Sequence, residues 1–181
     1  MTTKLFDGSS LLLQDDLLHT DPVRSPTAIH MQTVPLSRLA ASLRNAFAAL
    51  DNEGALLVIE LDNLIPLQAE RQAALLDHVV EIAHQSVRRT DILERLGPYT
   101  IAIALPGSGR IGMTRVADAI RQRVAASVLD SGELLSTTVT IGAVHASESA
   151  LADPDDLLLA ALVNLDSARA AGGNRTNWSD L

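Results

Sequence analysis

V87-R-R-T-D-I-L-E-R-L-G-P-Y-T-I-A-I-A-L-P106 closes a helix with two arginines and an aspartate and then runs into two short apolar segments. Those segments, Ile92 to Leu96 and Tyr99 to Leu105, are separated only by Gly97-Pro98, which is the length and composition of a tight hairpin turn. The tip carries no nucleophile, no carboxylate and no metal ligand. Its meaning has to come from the elements on either side.

Upstream, G54-A-L-L-V-I-E-L61 is a short aliphatic run bounded by turn residues, the pattern of a strand covered on both faces. Leu67 to Arg89 follows with Ala74, Leu75, Val79, Ile82, Ala83 and Ser86 at helical spacing. Downstream, P106-G-S-G109 is the exit loop. Ile111 to Val128 is an amphipathic helix with Val116, Ile120, Val124 and Val128 inward, and its arginines 115, 121 and 123 read as a solvated face. Leu134 to Val144 reads as a strand, and Pro154 starts a helix that spans Leu157 to Ala171 and stops at Gly172-Gly173. R175-T-N-W178 adds a short edge strand. Before all of these, Pro35 to Leu50 has Leu36, Leu39, Leu43, Phe47 and Leu50 on one helical side, and residues 1–34 form an irregular leader with a short apolar run, L11-L-L-Q-D-D-L-L18. A strand-helix-strand-strand-helix-strand core predicts an α+β, ferredoxin-like fold: helices over a mostly antiparallel sheet, in one domain over 35–181.

Composition narrows the function. The chain is 47% hydrophobic and 20% charged, so it is globular, and no apolar run reaches the roughly 20 residues of a membrane span. A net charge of −8 argues against binding to nucleic-acid polymers, while a small anionic ligand needs only a few local arginines. Cysteine is absent and no secretory signal is visible, so a cytoplasmic setting is expected. The five histidines lack zinc-ligand spacing and read as ordinary residues, and no cofactor is expected.

With the elements in this order, the chain resembles a GGDEF domain, the family of diguanylate cyclases. The family phrase of Arg, two residues, Asp, five residues and G-G-D-E-F-x-x-x-x-P is similar to R88-x-x-D91 followed at the same interval by G97-P-Y-T-I-A-I-A-L-P106. V116-A-D-A-I-R121, V139-T-I-G-A143 and A168-R-A-A-G-G-N174 match further family phrases in the same order. The resemblance implies a two-metal nucleotide site whose ligands are hard carboxylates. Glu60 occupies the place of one ligand, and Asp62 completes the D-x-D-like pair. The signature itself is altered. Gly97 and the apolar Ile101 remain, but Pro98 replaces the second glycine, Tyr99 the first acid, and Thr100 the metal-binding glutamate. In E60-L-D-N-L-I-P-L-Q-A69, Ile65, Gln68 and Ala69 replace the family's Lys, Asn and Asp. Arg169 stands where the family has a phosphate-binding lysine. The expectation is a degenerate, catalytically inactive domain.

What survives is R88-x-x-D91, which in the family is the inhibitory site for cyclic di-GMP. Arg forks onto O6 and N7 of guanine or onto phosphate, and Asp accepts from the guanine N1–H and N2–H. Arg89 is adjacent, and Arg115 is a candidate for the family's further arginine, whose place holds Ala119. The same residues equally serve as a helix cap, paired with each other or with Arg95. The resemblance therefore implies a cyclic di-GMP receptor. The alternatives are a ligand-independent scaffold, whose protein or self-association contact is the leader, Tyr99 or the Leu157 to Val163 helix, and a domain that binds GTP without turnover through Glu60 and Arg169. Tyr99 and Trp178 also read as plain packing residues.

Overall fold

The computed structural model describes residues 53–63, 69–127, 137–147 and 154–181, with helical positions at 38, 41–42 and 44–45. The leader, the rest of the 35–50 helix, Ile65, Gln68, Val128 and 134–136 lie outside the described residues. The elements are β1 Glu53–Leu61, α1 Ala69–His84, β2 Ile92–Arg95, β3 Thr100–Pro106, α2 Arg110–Ala125, β4 Val139–Ser147, α3 Pro154–Ala170 and β5 Thr176–Asp180. The sheet order is β2-β3-β1-β4-β5. β1 runs antiparallel to both neighbours and β5 joins the edge parallel to β4. The first four strands have the expected ferredoxin-like order, and the parallel β5 makes the sheet mixed.

β1 shows why its sequence has no polar alternation. Ala55, Leu57, Ile59 and Leu61 face α1 and α2, while Leu56 and Val58 face α3, and all are buried. Helices therefore cover both faces of the sheet rather than forming one layer. On α2 the buried stripe is Met113, Ala117, Ile120 and Val124, and Val116, expected inward, is only partly buried at its margin.

α1 ends at His84, five residues before the expected Arg89. The Ser86 hydroxyl donates to the Ile82 carbonyl at 2.7 Å, and its N–H turns to Ala83, so the helix loses its continuing acceptor pattern there. Arg88 and Asp91 consequently sit on a turn between α1 and β2. α3 begins at Pro154 with Asp155 and Asp156 in its first turn, suited to the positive helix end. It stops where Gly172 and Gly173 take φ of 108° and 70° and return their N–H groups to Arg169 and Ala168. No helix of the described residues is long and apolar enough to cross a membrane.

α3 packs directly over Gly142 of β4. A Cβ there would stand 2.1 Å from the Ala161 carbonyl oxygen and 2.2 Å from the Leu165 nitrogen, both backbone atoms. Gly142→Ala is expected to lower the free energy of unfolding by about 1–3 kcal/mol in urea titration, because a helix backbone has to move to admit one methyl.

Candidate functional site

Functional residues gather at the two ends of β1. At the C-terminal end, Glu60 pairs in register with Thr100 of β3 and Thr140 of β4, so the three side chains share one sheet face. The residue standing directly opposite Glu60 on the hairpin strand is therefore a neutral hydroxyl. Arg169, from the last turn of α3, donates to Glu60 Oε2 at 2.5 Å and to Asp166 Oδ1 at 2.8 Å. Asp62 is occupied inside the fold. Its Oδ2 accepts from the Thr138 hydroxyl at 2.6 Å and the Asn174 N–H at 3.1 Å, and its Oδ1 accepts from Thr140 at 2.6 Å. The surrounding cleft, about 730 Å³, includes Glu60, Asp62, Tyr99, Arg169 and Asn174. Among the described residues no three acidic or histidine side chains converge as a metal site.

The hairpin tip is ordered by its neighbours. The Leu96 and Gly97 N–H groups both donate to the Thr100 carbonyl, and the Tyr99 carbonyl accepts from Leu61 N–H. The Tyr99 hydroxyl donates to Gln72 of α1 at 2.7 Å, which ties the hairpin tip to that helix. Pro98 is exposed at the apex and Ile101 is buried in the core. Asp77 accepts from Arg95 at 2.5 Å, so Arg95 is paired with α1 and not with Asp91.

At the other end of β1, Arg88 lines an open cleft of about 690 Å³ with Glu53, Arg110, His145 and the Gly107–Gly109 loop. Asp91 Oδ2 accepts from the Arg88 backbone N–H at 2.7 Å, and the Asp91 N–H returns to the Arg88 carbonyl, so the motif closes a four-residue turn. Asp91 Oδ1 is buried without a hydrogen-bond partner among the described residues. Burial raises the Asp91 carboxyl above its ordinary 3.8, against the lowering effects of the Arg88 N–H and the Arg88 charge. The Arg88, Arg89 and Arg115 guanidinium groups make no ion pair or hydrogen bond among the described residues. Arg88 and Arg115 are not brought together in one cleft. Arg115 lines an adjoining groove of about 370 Å³ with Thr114, Asp118 and Trp178, and Arg110 and Ile111 border both spaces.

The chain matches the family described as diguanylate cyclase, GGDEF domain, over residues 25–175. It belongs to the GGDEF domain family. Its fold superposes on the GGDEF domain of YfiN from Pseudomonas aeruginosa with a TM-score of 0.70 at 23% identity, covering 84% of this chain and 98% of that one. The coiled-coil and GGDEF region of DgcB from Caulobacter crescentus, solved in complex with c-di-GMP, gives 0.70 at 16% identity, covering 79% and 80%. A stretch of 98 residues is 34% identical to the uncharacterized protein YhcK of Bacillus subtilis (strain 168), and it spans 53% of this chain but only 27% of that protein.

Within this GGDEF domain, several cleft residues carry no sequence signal. Glu53 reads as part of the D51-N-E-G54 turn, yet it is the first residue of β1. His145 reads as an ordinary histidine, yet its ring nitrogens meet Glu53 at 2.9 Å and Asp180 at 3.1 Å. Arg110 sits 5.1 Å over the Trp178 ring and pairs with Asp180 at 2.6 Å. Pairing of β1 with β4 and of β4 with β5 joins Glu53, His145 and Asp180, and the start of α2 adds Arg110.

Two measurements test the assigned contacts. Asp62→Ala removes the acceptor of the Thr138 and Thr140 hydroxyls and one of the two acceptors of the Asn174 N–H, and chemical denaturation is expected to show a loss of about 2–4 kcal/mol. For Asp91, the folded state holds the proton more tightly than the unfolded state. Its contribution to stability is present below the ordinary value and is lost as pH rises through the raised one. The melting temperature of Asp91→Asn relative to the unsubstituted protein is therefore expected to rise between about pH 3.5 and about pH 7.

Proposed function

We propose that this GGDEF domain does not make cyclic di-GMP and instead binds it, as a receptor, through Arg88 on the turn closed by Asp91. The observation that carries the reading is the Arg88 guanidinium, which has no ion-pair partner among the described residues and stands at a cleft of about 690 Å³. That volume lies within the roughly 300–1,000 Å³ of small-ligand sites. A guanidinium in such a position suits both the guanine O6/N7 edge and a phosphodiester. Loss of turnover is supported by the other end of β1. There Thr100 faces Glu60 in place of a second carboxylate, and Arg169 already holds Glu60. The same ion pair weighs against GTP binding at that end, since Arg169 is committed to two carboxylates. In this reading the domain acts in the cytoplasm and passes ligand occupancy to a protein partner or a second copy.

A second reading, a ligand-independent scaffold, is favoured by Leu159 and Val163. They lie one turn apart on α3 and are 60% and 55% exposed.

Calorimetric titration with cyclic di-GMP is expected to give micromolar binding, about −8 kcal/mol. Arg88→Ala should weaken it about 10- to 100-fold, the effect of losing charge-assisted hydrogen bonds. GTP with magnesium should yield no cyclic di-GMP. Product formation would overturn the inactive reading, and an unaltered Arg88→Ala affinity would move the ligand away from this turn.

A further inference from the structure

Guanine presents N1–H and N2–H side by side, so a protein acid that recognises it must offer accessible oxygen lone pairs. Asp91 is poorly placed to do so. One of its oxygens holds the Arg88 backbone N–H at 2.7 Å, and the other is buried with no partner among the described residues. To meet a ligand, Asp91 would have to release the contact that shapes the turn carrying Arg88.

Glu53, unlike Asp91, lines the cleft beside Arg88, and it is differently disposed. Its backbone is fixed, because it pairs in register with Ser147 and its carbonyl accepts from Gly107 N–H at 2.9 Å. Its side chain is 44% exposed. Oε2 meets His145 Nε2 at 2.9 Å, and His145 is braced from behind by Asp180 on Nδ1. Oε1 makes no hydrogen bond among the described residues and lies against Gly109, where an added Cβ would stand 2.6 Å away. A half-exposed carboxylate held at one oxygen, with the other uncommitted, thus shares a cleft with the unpaired Arg88 guanidinium.

We infer that Glu53 is the acid that reads the guanine Watson–Crick edge of bound cyclic di-GMP, with Arg88 on the O6/N7 edge or a phosphate, and that Asp91 is a positioning residue for Arg88. The inference rests on the receptor reading above. It adds a determinant of base specificity in β1, remote in sequence from the R-x-x-D motif. Adenine lacks N1–H and N2–H and carries an acceptor at N1, so the Glu53 carboxylate favours guanine over adenine at this position.

The test is titration of the full chain with cyclic di-GMP and, separately, cyclic di-AMP, with melting temperatures confirming that each variant is folded. Glu53→Gln is expected to weaken cyclic di-GMP about tenfold, the loss of one charge-assisted hydrogen bond, and to leave cyclic di-AMP binding no weaker, so that the guanine preference falls. Gly109→Ala, which displaces the carboxylate without removing its charge, should also reduce the guanine preference. Asp91→Asn keeps an acceptor for the Arg88 N–H and should retain that preference. If the unsubstituted protein binds cyclic di-GMP, loses it in Arg88→Ala, and yet keeps the same guanine-to-adenine ratio in Glu53→Gln, the Glu53 assignment is overturned and the receptor reading stands. If the unsubstituted protein binds neither dinucleotide, both fall.

Discussion

Strand β1 is hydrogen-bonded along both edges and buried on both faces, so it has only its two ends to present to anything outside the fold. Both ends carry a glutamate. The antiparallel registers on either side then determine what each glutamate meets. Glu60 is flanked by Thr100 and Thr140, and Glu53 by the β4 end and the Gly107 loop. A slip of one residue would send the Glu60 carboxylate to the opposite face, into the apolar layer beneath α1 and α2.

The two ends have been settled by opposite means. Around Glu60, side chains satisfy one another: Arg169 bridges Glu60 and Asp166, and Asp62 ties β1, β4 and the turn after α3 through three accepted hydrogen bonds. The Arg169 pairs are largely solvent-exposed, so they add at most about 1 kcal/mol each. Their effect is chemical, because they direct carboxylate lone pairs at a guanidinium. The Asp62 contacts matter more for stability, since buried Thr140 has no water to replace its acceptor. Around Arg88 the reverse holds. Among the described residues the Arg88 cation is left without a partner at an open cleft, and the nearby polar network of Glu53, His145, Asp180 and Arg110 stops short of it.

Much of the fold was legible because the apolar pattern is local. β1, the hairpin arms, α2, and α3 from its proline to its paired glycines all follow from residues within one element. What escaped was set by competing side-chain hydrogen bonds and by distant contacts. α1 ended early because a serine hydroxyl competed for a helix carbonyl, and α3 packs on the opposite face, where Gly142 of β4 makes room for its backbone. The site divides in the same way. The substitutions in the signature and the R88-x-x-D91 turn are contiguous motifs, so they could be read directly. The engagement of Asp62 by Thr138 and Thr140, the pairing of Arg95 with Asp77, and the gathering of Glu53, His145 and Asp180 depend on strand pairing between segments far apart in the chain.

The central position of β1 also bears on how the chain folds as it is synthesised. One of its partner strands, β3, arrives soon after it in the hairpin, but the other, β4, begins only at Val139, and α3, which covers its second face, begins at Pro154. Until those residues leave the ribosome, Leu56 and Val58 have no cover and one edge of β1 has no hydrogen-bonding partner. Among the described strands, β1 is thus the first to emerge and among the last to be enclosed. Its burial requires loop closure over most of the domain, the kind of long-range pairing that slows folding and leaves a nascent chain dependent on protection from its neighbours.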